Sequence, residues 1–415
     1  MIAALVIFLA TYLFLAGAEL PFLKLDRPGG AVAGAVAMVA FRVVTPEQVY
    51  REAISWDTIV LLLGMMVLSS LMARAGIFRW ISWAALKRAH GPRTLLLVIV
   101  AVAGGLSAIL VNDTICLMCT PIVLAMVEEA RLPPPPYLLG LAFASNAGSV
   151  ATLTGNPQNM LIGTLSGIHY ADFAKALALP ALLSMACVYL VLRIAFRREL
   201  SRPPHLESHL PEPPLRRGHT LLCFGALAFV VAGFFAGYSL AWTAMLGAAL
   251  LLILTRGDPR EIFAQVDGTL LLFFAALFVV TYGVAHAGIA ERLYRSLEPA
   301  FGSDAVHQAF RFGAFTVVAC QVVSNVPFVL LAGHWVPNMA DPHLSWVSLA
   351  LVSTLAGNLT PVASVANLIV LESAGEKGKI PFLRFLAVGA GATFLPLAVG
   401  LATLLAERRL GLLSR

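Results

Sequence analysis

Charge is the scarcest commodity in this sequence. Only 12% of the 415 residues are charged, against 59% hydrophobic, and the mean hydropathy is +0.86. A water-soluble globular domain carries roughly 25% charged residues, so a solvated surface of ordinary size is excluded. Cysteine is sparse too. Cys116, Cys119, Cys187, Cys223 and Cys320 all fall in apolar stretches, which argues against a disulfide framework and for small buried residues. The first apolar run, 2–18, lacks both a basic start and a cleavage pattern, so it reads as a span and not as a leader. No metal-ligand cluster and no nucleophile–base set is present, so neither a cofactor nor an enzyme is implied. The net charge of +6 comes from basic residues gathered in loops, which points to a membrane and away from nucleic acid.

What the sequence does have is long apolar runs of bilayer length, repeated from end to end. They fall at 2–18, 29–44, 57–75, 137–165, 171–197, 218–236, 238–255, 268–287, 344–371 and 381–405. The expected fold is an all-α polytopic membrane protein of about ten transmembrane helices. Two further apolar segments, 94–128 and 305–336, are interrupted by Asn112-Asp113-Thr114 and by Ser324-Asn325-Val326-Pro327. A polar centre in a segment of that length predicts two half-helices meeting at a tip, a re-entrant helical hairpin.

The core is duplicated. Ala73-Arg74-Ala75-Gly76-Ile77 matches Ala285-His286-Ala287-Gly288-Ile289 at an offset of 212; Asn112 matches Asn325 at 213, and Asn159 matches Asn367 at 208. Each half holds five spans and one hairpin, and an odd number of crossings inverts the second half. Residues 1–200 form the first half, with hairpin 94–128 and broken helix 137–165. Residues 201–217 form a Pro-rich, charged cytoplasmic linker, and 218–415 form the second half, with hairpin 305–336 and broken helix 344–371. Of the 28 Lys and Arg residues, 19 fall on one side and 9 on the other. The richer side is expected in the cytoplasm of a bacterial-type inner membrane, with both termini periplasmic. The basic, amphipathic stretch 78–90 is expected along the cytoplasmic interface.

Two spans carry helix breakers in their middle. Gly148, Gly155 and Pro157 interrupt the first broken helix, and Gly357 and Pro361 the second. A break frees carbonyls at one half's C-terminus and amides at the other's N-terminus, which can receive a cation and an oxygen or anion respectively. Thr154, Asn156, Gln158 and Asn159 surround one break, and Thr360, Ser364 and Asn367 the other. Such residues also serve as plain interhelical glue; their placement in four clusters at matching repeat positions favours a substrate and ion site. Asp113 is the one acid deep in such a cluster and the candidate for proton coupling; the competing role is a cap on the following half-helix. Asp57 and Asp267 start repeat-equivalent spans and read as caps or interface residues, His286 as interfacial, and Cys116 and Cys119 as buried packing.

The segments VNDTICLMCTPIV, TGNPQNMLIG, SNVPFVLLAG and GNLTPVASVANLIV resemble the four signature segments of the ion transporter superfamily. The nearest likeness is to its arsenite permease (ArsB) and NhaD-like branch, related to divalent anion/sodium symporters and citrate carriers. The resemblance covers the chain from about residue 50 onward. It implies a scaffold and a transport domain, with substrate and coupling ion held at two tips and two unwound helices. Carried over, Asn112, Asp113 and Thr114 stand at the inner tip and Ser324 and Asn325 at the outer one. Asn156 and Asn159 belong to one break, and Thr360, Ser364 and Asn367 to the other. Carboxylate symporters read Ser-Asn-Thr at both tips, and this chain does not. No Arg or Lys lies in the four clusters, so a dianion would meet Asp113 without a fixed counter-charge. The expected function is proton-coupled export of arsenite or antimonite by alternating access. A sodium- or proton-coupled carboxylate carrier and a sodium/proton antiporter are the alternatives, with sodium at the broken helices and a homodimer as possible partners.

Overall fold

The computed structural model describes residues 1–15, 26–201 and 212–413; the central part of the expected 201–217 linker lies outside the described residues. The described chain is all helical. It runs α1 Ile2–Leu15, α2 Arg27–Ala40, a single turn α3 Pro46–Gln48, α4 Trp56–Arg74 and α5 Ile77–Arg88. Then come α6 Pro92–Ile109, α7 Asn112–Glu129, α8 Pro135–Ser149, α9 Pro157–Ser166 and α10 Tyr170–Ala195. The remainder is α11 Arg217–Phe235, α12 Leu240–Thr255, α13 Pro259–Phe263, α14 Gly268–His286, α15 Ile289–Phe301, α16 Ala305–Val323, α17 Asn325–Ala332, α18 Pro342–Ala356, α19 Val365–Ala374 and α20 Phe382–Arg409. Among the described residues, α4, α6, α10, α11, α14 and α20 are long and apolar enough to cross a bilayer, and α1, α12 and α18 are shorter apolar helices.

The packing repeats itself across the two halves. In the first half α6 packs on α8, and in the second α16 packs on α18; α1 pairs with α2 as α11 pairs with α12. The halves are also exchanged: α4 packs on α12 while α14 packs on α2, and the closing helices α10 and α20 pack on each other. Expected spans and observed helices correspond one to one, with α8–α9 and α18–α19 as the broken pairs. The amphipathic expectation at 78–90 is α5, and its repeat mate is α15, at the same offset of 212. That second arm was not foreseen from the sequence, because Glu291, Arg292, Arg295 and Glu298 interrupt the apolar run.

Length alone would let α6 cross the membrane. It does not emerge: Leu110, Val111 and Asn112 at its tip are 0%, 0% and 2% exposed. Irregular backbone at that depth stands only when covered by protein. The second hairpin is less even than expected. Its tip is the single residue Ser324, and α17 has only 8 residues, all buried, where α7 has 18. Ser324 adopts φ +68°, a region that non-glycine residues seldom enter, at a cost of about 1–3 kcal/mol.

The hairpin leans on its broken helix through glycine. A methyl group on Gly148 of α8 would run into the backbone of Gly104 of α6, which no side-chain rotation relieves. Gly105, one residue on, faces open space. Gly148→Ala is therefore expected to destabilise by about 1–3 kcal/mol, lowering the thermal midpoint of the detergent-solubilised protein. Gly105→Ala should leave it unchanged or slightly raised, since alanine is the better helix former. Equal midpoints for the two variants would show that this contact does not set the hairpin's position.

Candidate functional site

Each break is stitched by an asparagine. In the first, Asn156 caps α9 by accepting the Asn159 backbone N–H at 2.8 Å, and Pro157 follows at the first helical position, where no donor is needed. The Asn159 side-chain amide donates to the carbonyls of Thr152 at 2.9 Å and Ser149 at 3.1 Å, which the end of α8 leaves free. In the second, the Asn367 amide donates to Gly357 O at 2.6 Å and Thr360 O at 3.2 Å. The two residues occupy the third position of ten-residue helices related by an offset of 208. Carbonyls expected to await a cation are thus held by amide donors of the same chain.

Each hairpin tip then docks on the break of its own half. The Asn112 backbone N–H donates to Gly155 O at 2.9 Å, and the Ser324 hydroxyl donates to Ala363 O at 3.3 Å. The Thr360 hydroxyl donates to Gln321 Oε1 of α16 at 2.8 Å. Asn325 is buried, and its Oδ1 accepts from the Val326 backbone N–H at 2.9 Å.

The halves are tied by two residues that sequence reasoning passed over. Asn146, inside α8, accepts at Oδ1 from Asn112 Nδ2 at 3.1 Å and from Ser364 Oγ at 3.2 Å. Its own amide donates to Asn358 Oδ1 at 2.9 Å and Asn367 Oδ1 at 3.3 Å. Thr354 of α18, its counterpart at the offset of 208, receives Gln158 Nε2 at 3.1 Å and Asn156 Nδ2 at 3.4 Å. So a polar residue in each unbroken half-helix braces the break of the other half. Asn146 lies near the end of α8 in the stretch ASNAGSVATLTGNPQNMLIG, just ahead of Gly148; an amide this close to the helix break was the available signal. Ser149, the last residue of α8, and Asn358, just past the end of α18, were missed as well.

Among the expected site residues, Asn112, Asn156, Gln158, Asn159, Ser364 and Asn367 share this network. Thr154 turns away and pairs with the Tyr170 hydroxyl at 3.4 Å. Asp113 and Thr114 stand in the first turn of α7, and Asp113 is 6% exposed. The capping alternative for Asp113 does not hold: Val111 is the N-cap, and no side chain caps this helix. Asp113 lies in the first turn of α7, at its amide end, a favourable place for negative charge. Ser55, not Asp57, stands at the N-cap of α4, whereas Asp267 does cap α14 through Leu270 N–H at 2.9 Å. Two buried oxygens, Asn112 Oδ1 and Asn159 Oδ1, have no hydrogen-bond partner, which makes them acceptors for a bound hydroxyl or cation. Cys116 and Cys119 are buried behind the tip, as expected.

A cavity of about 520 Å³ adjoins the Ser324–Asn325 tip. Ser324 and Asn325 line it together with Leu368 and Glu372 of α19, Asp267 and Thr269 at the start of α14, and Asp26 and Arg27 at the start of α2. Three carboxylates and one guanidinium make this wall net negative.

Residues 6–356 match the CitMHS family of citrate transporters. The chain belongs to that family. A Dictyostelium discoideum protein named as transporter arsB is 26% identical over 91% of this chain and 87% of its own length. A 46 kDa membrane protein of Mycobacterium leprae is 28% identical over 96% of both chains, and the rice silicon efflux transporter LSI3 is 28% identical over 92% of this chain and 93% of its own. The fold is that of the Alcanivorax borkumensis YdaH transporter, with a TM-score of 0.61 at 15% identity over 98% of this chain and 97% of that one. This CitMHS-family protein is thus a multi-pass membrane protein and a secondary transporter.

Removing the Asn146 side chain strands Asn112, Asn358, Ser364 and Asn367 in a dry interior, at about 1–3 kcal/mol for each group left unpaired. Asn146→Ala is expected to cut transport per inserted molecule at least about tenfold and to lower the thermal midpoint. A variant that keeps both would show that the two breaks are positioned independently of this residue.

Proposed function

We propose that the protein exports a small uncharged polyhydroxyl species, with arsenous and antimonous acid the leading substrates, in exchange for protons. The observation that carries this reading is Asp113: a buried carboxyl at a hairpin tip, between Asn112 and Thr114 in the chain, with no basic side chain among the residues of either tip or either break. An intramembrane acid is a natural proton carrier. Neutral hydroxides offer donors to the unpaired oxygens of Asn112 and Asn159 and acceptors for the surrounding amides and hydroxyls. The names of the arsB and silicon efflux relatives agree with a hydroxide of this kind. Membrane insertion follows the charge bias, with the basic face in the cytoplasm of an inner membrane, both termini periplasmic, and a homodimer as the working assembly.

The family's description favours citrate, and Arg27 on the cavity wall supports a carboxylate carrier as the second reading. The acids beside Arg27 weigh against it. Sodium at the unpaired asparagine oxygens would support the third, a sodium/proton antiporter.

Reconstituted liposomes separate these readings. Arsenite is expected to move against its gradient when a proton gradient is imposed, with citrate, succinate and sodium at background. Citrate movement with arsenite silent would overturn the proposal. Asp113→Asn keeps the shape and loses the titrating proton, so gradient-driven net transport should fall at least about tenfold while arsenite exchange across the membrane persists. Net transport with the wild-type pH dependence in that variant would remove Asp113 from the proton path.

A further inference from the structure

The two halves of the repeat are not in the same state. Helices α9 and α19 correspond residue for residue at an offset of 208, and α4 and α14 at 212. In the first half α9 packs directly against the start of α4. The contact is a chain of hydroxyls, with Ser55 Oγ at 2.8 Å from Thr58 Oγ1 and Thr58 Oγ1 at 3.2 Å from Thr164 Oγ1. Pro157 to Ile162 of α9 are all buried. In the second half the corresponding surfaces stand apart across the 520 Å³ cavity: Asp267, Thr269 and Leu270 of α14 on one wall, Val365, Leu368, Ile369 and Glu372 of α19 on the other. Asp267 is the counterpart of Ser55, Leu270 of Thr58, and Glu372 of Thr164. Met160 of α9 is fully buried, while its counterpart Leu368 is partly exposed.

Chemistry distinguishes the two contacts. The sealed one is built from hydroxyls and closes without charge. The open one presents Asp267 and Glu372, and bringing two carboxylates together is unfavourable unless a cation joins them. Arg27, at the start of α2, lines the same cavity as Asp267 and Glu372.

We propose that these paired surfaces are the two gates of the transporter, that the Ser55–Thr58–Thr164 gate is closed while the Asp267–Leu270–Glu372 gate is open, and that Arg27 is the counter-charge that allows the second gate to shut. Inversion then breaks the hydroxyl chain on one face as Leu270 meets Glu372 on the other. Arg27 positions the gate and does not touch the substrate.

Paired cysteines test this in the full-length protein in liposomes. Thr58→Cys with Thr164→Cys should cross-link in the resting protein and block transport. Leu270→Cys with Glu372→Cys should cross-link only under conditions that permit turnover. In the variant carrying all four cysteines, one disulfide should exclude the other. Both bridges in the same molecule would overturn the proposal, as would an absence of the Leu270–Glu372 bridge under every transporting condition. A second measurement does not depend on those pairs folding well. Leu368→Cys should react with a membrane-impermeant maleimide in the resting protein and Met160→Cys should not; equal reactivity would also overturn it. With Glu372 retained, Leu368→Cys should lose its maleimide reactivity severalfold under transporting conditions in the Arg27 parent and keep it in Arg27→Gln, with Arg27→Lys restoring the protection and the Thr58–Thr164 cross-link intact throughout; an Arg27→Gln variant protected like the parent would remove Arg27 from the gate.

Discussion

A helix broken at membrane depth survives only if the backbone groups it frees find partners inside the protein, because lipid offers none. That constraint organises this fold. Asn159 and Asn367 answer it locally, each bridging the carbonyls of its own break. Asn146 and Thr354 answer it across the repeat, each reaching from one half to the break of the other. The hairpin tips complete the arrangement by docking on the same loops. With those bonds in place the two breaks and the Asn112 tip form one braced polar core, on which small rearrangements of either half can act together.

The economy of charge has a functional side. A site assembled from amides and hydroxyls is already largely satisfied by its own chain, so what remains for a permeant species is limited to a few unpaired atoms and Asp113. Under the proposed reading, a cargo held by so few groups would also be able to leave on the far side, which a carrier requires. The cavity wall sets a further filter, since its acids outnumber Arg27 and disfavour approach by a free dianion. Membership of a citrate-transporter family therefore fixes the architecture more firmly than the cargo.

Hairpins, breaks and duplication were all legible in the sequence. An apolar segment with a polar centre has few stable arrangements in a membrane, and Asn112/Asn325 and Asn159/Asn367 recur at nearly constant offsets. The short helices α13 and α15 were not legible, since their charged residues lower hydropathy and their amphipathic pattern competes with that of an ordinary loop. Asn146 escaped notice for a different reason. Its repeat mate is a threonine, so no pair of identical residues marks the position, although the two do equivalent work. Thr154 shows the converse: it sits in the right motif, yet local backbone turns it towards Tyr170. The role of a polar residue near a break depends on which side of the helix faces the other half, and composition does not carry that information.

The central claim is that neutral oxygen and amide groups at the tips and breaks, and not thiols or fixed cations, hold the cargo. An antimonite-soaked structure tests it most directly, because antimony scatters anomalously and marks its own position. The account predicts an anomalous peak between the two hairpin tips, within reach of Asn112, Asn159 and Asn325. A peak on the sulfurs of Cys116 and Cys119, or at Arg27 alone, would contradict it.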